Sequence, residues 1–243
     1  MDPRLEIIHE RFANVERLIS VASGKGGVGK SLISSTLALI LSEKGYRVGL
    51  LDLDFHGPSA HTILGAPNVY PEEDKGVIPP EVRGIKLMSI VYYVGDNPSL
   101  LRGSDVSNSI IELLAITRWG SLDFLIIDMP PGIGDETLDT IRLLDRAEFL
   151  VVTTSSNLVW GTVKRLVKIL KELKVPITGI VENKKITESP SAKDQANELG
   201  VPFLGEIGFD KELETTIGNA DELLKTRFAQ DTEKALGHLT RQK

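Results

Sequence analysis

Cysteine is absent from all 243 residues. Disulfides are excluded, and so is any metal centre or iron–sulfur cluster held by thiolates of this chain. Equally absent is a run approaching the ~20 apolar residues of a membrane-spanning helix. The opening residues, Met1-Asp2-Pro3-Arg4-Leu5-Glu6, lack the basic start and apolar core of a signal peptide. Positive charge is not in excess: 28 Lys and Arg face 34 Asp and Glu, for a net charge of −6. Binding of nucleic acid through a broadly basic surface is therefore not expected. Internal repeats and low-complexity stretches are also missing. These absences predict a cytoplasmic chain with neither a membrane nor a nucleic acid as its partner. By length alone it is one large domain or two small ones, and a chain of this size buries about 70–75% of its unfolded surface.

What is present is concentrated in Gly24-Lys25-Gly26-Gly27-Val28-Gly29-Lys30-Ser31. The apolar run Leu18-Ile19-Ser20-Val21-Ala22 precedes it and reads as a buried strand. Leu32 to Glu43 follows with helical spacing. Strand, glycine loop and helix start form the context of a phosphate-binding loop. Glycines let the backbone curl with its N–H groups inward, a nest for an anion, and the helix N-terminus adds unpaired donors. Lys30 is placed to meet the β- and γ-phosphates, and the Ser31 hydroxyl to ligate Mg²⁺. Lys25 is unusual, because such a loop needs only the lysine before Ser31.

Further along, Tyr46-Arg47-Val48-Gly49-Leu50-Leu51 reads as a strand ending in Asp52-Leu53-Asp54. The region from Phe55 to Val82, with Pro58, Pro67, Pro71, Pro79 and Pro80, is an insertion rich in loops. Strands are predicted at Lys86–Ile90, Phe124–Ile127, Phe149–Val152, Ile177–Val181 and Pro202–Gly205, and helices at Asp105–Ile116 and Val159–Leu173. Leu5, Ile8, Phe12 and Val15 have helical spacing, suiting a segment that covers the sheet or meets a partner. We therefore divide the chain into an N-terminal helical segment, residues 1–17, and a single α/β domain, residues 18–243. Unbroken alternation of strands and helices predicts a mostly parallel sheet flanked by helices, as in a P-loop NTPase.

Ligands of such sheets bind beyond the carboxyl ends of the strands, where Asp52, Asp54 and Asp128 fall. Leu125-Ile126-Ile127-Asp128 has the form of a Walker B strand, whose aspartate holds Mg²⁺. Met129-Pro130-Pro131-Gly132-Ile133-Gly134-Asp135 then suits a loop that senses the γ-phosphate. Asp54 begins a second candidate switch and is the residue expected to position the attacking water. Asp52 ties either the metal site or Lys30 in place. His56 and His61 read as a switch-loop residue and a helix-cap neighbour rather than as metal ligands.

The run G-K-G-G-V-G-K-S resembles the deviant Walker A loop of the MinD/Mrp/ParA group of P-loop ATPases. Several separated motifs narrow the resemblance to the Mrp/ApbC family: Val21-Ala22-Ser23, Leu51-Asp52-Leu53-Asp54-Phe55-His56-Gly57-Pro58-Ser59, Leu101-Arg102-Gly103, Ile127 to Asp135, Val181-Glu182-Asn183 and Val201 to Ile207. Together they cover roughly residues 15 to 220. The resemblance implies an ATPase that acts as scaffold or carrier in iron–sulfur cluster assembly. It implies that Lys25 reaches the partner's phosphates across a dimer interface and that Asn183 recognises adenine, with ATP or ADP and Mg²⁺ as ligands.

The family's cluster-carrying members have a Cys-x-x-Cys pair after the Val-Glu-Asn stretch. Here Lys184-Lys185-Ile186-Thr187-Glu188-Ser189-Pro190-Ser191-Ala192-Lys193-Asp194 stands instead. A [4Fe–4S] cluster needs about four ligands, normally thiolates, so nitrogenase-type reduction is excluded. The expectation is an ATPase that hydrolyses MgATP slowly as a homodimer, or as a heterodimer with a cysteine-bearing relative. It would be a cluster-free accessory acting on a client or cluster-assembly protein. The alternative is a MinD- or ParA-like positioning switch. Asp231, Glu233 and the sparse apolar bulk between Leu223 and Leu239 argue against a membrane-docking helix and predict a packed or frayed one.

Overall fold

The computed structural model describes residues 3–55, 57–66, 69–94, 104–186 and 192–240. His56, Leu101-Arg102-Gly103 and Thr187 to Ser191 lie outside the described residues. The chain opens with α1 (Arg4–Phe12), β1 (Val15–Ser23), α2 (Lys30–Glu43) and β2 (Val48–Asp52). Short pieces follow: α3 (Ala60–Ile63), β3 (Glu72–Glu73), β4 (Val77–Ile78) and β5 (Glu81–Val82). Next come β6 (Ile85–Ser89), α4 (Val91–Val94), α5 (Ser104–Ile116), β7 (Leu122–Asp128), α6 (Asp135–Leu143) and β8 (Glu148–Thr153). The rest is α7 (Asn157–Glu172), β9 (Ile177–Lys185), α8 (Ala192–Glu198), β10 (Phe203–Gly208), α9 (Ala220–Lys225) and α10 (Arg227–Leu236).

Eight strands form one sheet in the order β10-β9-β8-β1-β7-β2-β6-β5, and β3 pairs with β4 in a separate ribbon. Every pairing in the large sheet is parallel except that of β5 with β6, as the alternation of elements predicted. Strands covered on both faces carry continuous apolar runs; Leu125-Ile126-Ile127 and Phe149-Leu150-Val151-Val152 are fully buried. Because β1 lies between β7 and β8, the chain crosses over it between those two strands. That crossing leaves a crevice at the carboxyl end of β1, the usual place for a ligand in an open α/β sheet.

β1 begins at Val15, three residues before the expected start. Arg17 makes this possible: its guanidinium pairs with both oxygens of Glu148 on β8 and lies 5.7 Å from the Phe124 ring centre. A charged residue thus fits near the start of a central strand. α1 packs against α5, with Ile8 and Phe12 in the common core. The proline-rich insertion also holds α3 and the β3–β4 ribbon, too short for periodicity to reveal.

α2 is buried nearly all round because β2 and β7 lie against it on one side and α9 and α10 on another. α10 is packed rather than frayed: Phe228, Ala229, Thr232, Ala235 and Leu236 are buried, against α2 and β10. The Thr226 side chain caps it, accepting from the Ala229 N–H at 3.1 Å. Among the described residues no helix is long and apolar enough to cross a membrane.

Candidate functional site

The glycine loop leaves β1 at Ser23, whose hydroxyl donates to the Lys25 carbonyl at 3.0 Å. Gly24 is pressed against α7: a Cβ there would lie 2.5 Å from Thr162 Oγ1 and 2.7 Å from the Thr162 carbonyl carbon. At Gly29 the loop enters α2 with φ at 88°, without a side-chain cap. The first-turn N–H groups of α2 thus remain open to an anion, at the positive end of the helix. The loop borders a cleft of about 290 Å³, lined among others by Gly27, Lys30, Ser31, Asp54 and Pro131. Two loops are tied to this frame by backbone bonds. Leu53 N–H donates to the Asp128 carbonyl at 2.9 Å, and Gly132 N–H donates to the Ser23 carbonyl at 3.1 Å.

Beneath the loop, Lys30 and Asp128 form an ion pair of 2.6 Å, with side chains 5% and 0% exposed. Ser34 Oγ donates to the same carboxylate oxygen, Oδ1, at 3.0 Å. Asp128 Oδ2 is buried and has no hydrogen-bond partner among the described residues. A buried charge survives only when paired, and here just one oxygen is satisfied. Ser31 Oγ lies 3.4 Å from Lys30 Nζ, at the mouth of the same cleft. A spare carboxylate oxygen and a hydroxyl are the hard donors that suit Mg²⁺, which takes few protein ligands and completes its shell from phosphates and water. Among the described residues no group of three or more His, Cys, Asp or Glu side chains could hold a metal.

Asp52 faces Asp128 across the paired ends of β2 and β7, but its oxygens are already occupied. Oδ1 accepts the Asp54 N–H at 3.0 Å, and Oδ2 accepts those of Ser59 and Ala60 at 2.9 and 3.0 Å. Asp52 thereby shapes the loop that carries Asp54 and the start of α3. Burial, and then the neighbouring Asp128, push its carboxyl up from the ordinary 3.8 to about 7, against the pull of those amides and Lys30. The folded chain thus holds this proton more tightly than the unfolded one. Its contribution to stability is full below about pH 4 and is lost as pH rises towards 7. Urea melts at pH 5 and pH 7.5 check this. Asp52→Asn is expected to flatten the fall in stability between those values, whatever its absolute stability.

Asp54 reaches the cleft wall and accepts the Gly57 N–H at 3.0 Å. Lys25 is exposed at the loop's outer turn, whereas Lys30 is buried. Of the expected residues, Gly26, Gly27, Gly29, Lys30, Ser31 and Asp54 line one cleft, Asp128 pairs with Lys30, and Asp52 holds the Asp54 N–H. Asn183 stands behind the loop, 2% exposed, with its amide donating to the Val28 carbonyl at 2.8 Å. His61 falls in α3. Sequence reasoning missed Ser34, four residues after Lys30 and so one helical turn along the same face, a spacing that could have revealed it. It also missed Thr162 and Lys184, which reach the loop from α7 and β9 and leave no local signal.

Residues 14–242 match the family described as "ParA: NUBPL iron-transfer P-loop NTPase". An iron-sulfur cluster carrier protein of Aquifex aeolicus is 36% identical over 220 residues, covering 84% of this chain and 60% of its own length. One from Rickettsia felis is 40% identical over 196 residues, covering 80% of this chain and 62% of its own. The chain thus spans about three fifths of the length of these relatives. Among solved structures, a nucleotide-binding protein from Archaeoglobus fulgidus in complex with ADP superposes with a TM-score of 0.77 at 30% identity, covering 91% of this chain and 93% of that one. The cell division ATPase MinD of Pyrococcus furiosus gives a TM-score of 0.72, covering 94% of this chain and all of its own, but at 19% identity that likeness concerns the fold alone.

Proposed function

The chain belongs to the ParA/NUBPL iron-transfer P-loop NTPase family, and from that premise we propose that it binds and slowly hydrolyses MgATP as a nucleotide-dependent dimer. Its service is to iron–sulfur cluster assembly or transfer, without carrying a cluster on thiolates of its own. The observation that carries this reading is the buried Lys30–Asp128 pair under the glycine loop, with one Asp128 oxygen unspent. A lysine neutralising a buried carboxylate keeps the pocket stable until phosphate charge arrives from the cleft. ADP in the Archaeoglobus relative supports an adenine nucleotide as the ligand.

In this reading the loop N–H groups and Lys30 bind the phosphates, and Ser31 with Asp128 holds Mg²⁺. The metal, when bound, supplies positive charge that offsets the charge developing on the transferred phosphoryl group. Asp54 orients a water for in-line attack. Asp52 acts through the loop by holding the Asp54 backbone, rather than as a ligand. Lys25, exposed beside the cleft, completes the partner's site. Catalysis of this kind is positional and electrostatic.

The partner is a second copy or a cysteine-bearing relative, since this chain supplies no thiolate. A membrane-positioning role finds less support, because the apolar residues of α10 are buried against the body of the protein. Asp54→Ala protein held in ATP and used as bait in native lysate tests the reading. Cluster-assembly proteins or a cysteine-bearing relative are the expected catch. Chromosome, division or membrane factors would overturn it.

A further inference from the structure

Near the end of β9, Asn183 and Lys184 both reach back with their side chains to carbonyls of the glycine loop. Asn183 Nδ2 donates to the Val28 carbonyl at 2.8 Å, while its Oδ1 accepts the Lys184 N–H, also at 2.8 Å. Lys184 Nζ donates to the Gly27 carbonyl at 2.9 Å. Lys184 adopts φ of 57° to do so, a left-handed conformation uncommon for a residue with a side chain. The approach is close: a Cβ on Gly29 would lie 2.3 Å from Asn183 Nδ2.

The consequence follows from the trans peptide, whose C=O and N–H point in opposite directions. The peptide unit holding the Gly27 carbonyl also holds the Val28 N–H, and that of the Val28 carbonyl holds the Gly29 N–H. Drawing both carbonyls towards β9 turns these two N–H groups the other way. Neither has an acceptor among the described residues, and Gly27 and Gly29 line the cleft.

We propose that Asn183 and Lys184 are positioning residues that splint the phosphate nest from outside, holding the Val28 and Gly29 N–H groups ready for a phosphate of the ligand. Glycine freedom lets the loop form this nest but does not hold it there; an unsplinted loop loses backbone entropy each time it binds. The family resemblance assigned the Asn183 amide to adenine. Here one N–H of that buried amide is given to the loop and one lone pair of its oxygen to the neighbouring Lys184, and this loop contact acts on the phosphate end of the ligand.

The proposal rests on the nucleotide reading, and the probes separate the two. Titration calorimetry compares MgADP with magnesium tripolyphosphate, which has no base, for wild type, Lys184→Met, Lys184→Arg and Asn183→Ala. Lys184→Met is expected to weaken both ligands by the same factor, roughly tenfold for one charge-assisted hydrogen bond. Lys184→Arg recovers most of the loss. Asn183→Ala weakens tripolyphosphate as well as ADP. The ligand-free melting temperature of Lys184→Met stays at the wild-type value, which a merely structural role would not allow.

Wild-type affinity in Lys184→Met overturns the splint and leaves the nucleotide reading standing. Loss of ADP affinity with tripolyphosphate unchanged in Asn183→Ala also overturns it, and returns that residue to the base. A wild-type chain that binds neither probe takes both readings down.

Discussion

Lys30→Ala protein binds no nucleotide and melts roughly 10 °C below wild type. Two separate losses stand behind that result. The first is the cation for the phosphates, which no other buried residue along the cleft supplies among the described ones. The second is stability: Asp128 is fully buried, and Lys30 and Ser34 share its one satisfied oxygen. Removing one member of a buried pair costs about 3–5 kcal/mol, and each kcal/mol shifts the melting point of a domain this size by about 2–4 °C. The double variant Lys30→Ala/Asp128→Asn distinguishes them, since it no longer buries an unpaired charge. Calorimetric melting is expected to recover most of the stability, while titration still finds no binding. A Lys30→Ala protein as stable as wild type would contradict the cost assigned to breaking the buried pair.

Lys25→Ala protein binds MgATP as wild type does, yet stays monomeric and loses hydrolysis by about 10³-fold or more, the scale of a charge supplied in trans to a phosphoryl transfer. Lys25 differs from Lys30 in exposure, and its side chain has no ion pair or hydrogen bond among the described residues. A lysine held that way contributes little to its own fold, so the melting point is expected to stay unchanged. Mixing Lys25→Ala with Asp54→Ala chains is a sharper form of the test. If Lys25 acts across the interface, the mixture contains one competent site per heterodimer and recovers part of the activity. Equal loss of ATP binding in the Lys25 and Lys30 variants would remove the trans role.

The sheet was legible in the sequence because its strands are covered on both faces and read as unbroken apolar runs, such as Leu125-Ile126-Ile127. The phosphate loop was legible because its chemistry lies in consecutive residues. Boundaries shifted where polar residues continue a strand: Arg17 extends β1 by pairing with Glu148, and Glu182 to Lys185 extend β9 beyond Val181. The roles of second neighbours could not be read. Asp52 read as tying the metal site or Lys30 in place; the N–H groups of Asp54, Ser59 and Ala60 from which it accepts depend on how the following loop folds. The meeting of Lys184 with Gly27 joins positions far apart in the chain, and only the adjacency of sheet ends creates it.

Coupling between nucleotide and association is the centre of the proposed function, and sedimentation velocity of the wild-type chain tests it most directly. The protein is run with Mg²⁺ and either a non-hydrolysable ATP analogue or ADP. A species of twice the monomer mass with the ATP analogue, and monomer with ADP, is the predicted result. The same mass under both nucleotides would contradict it.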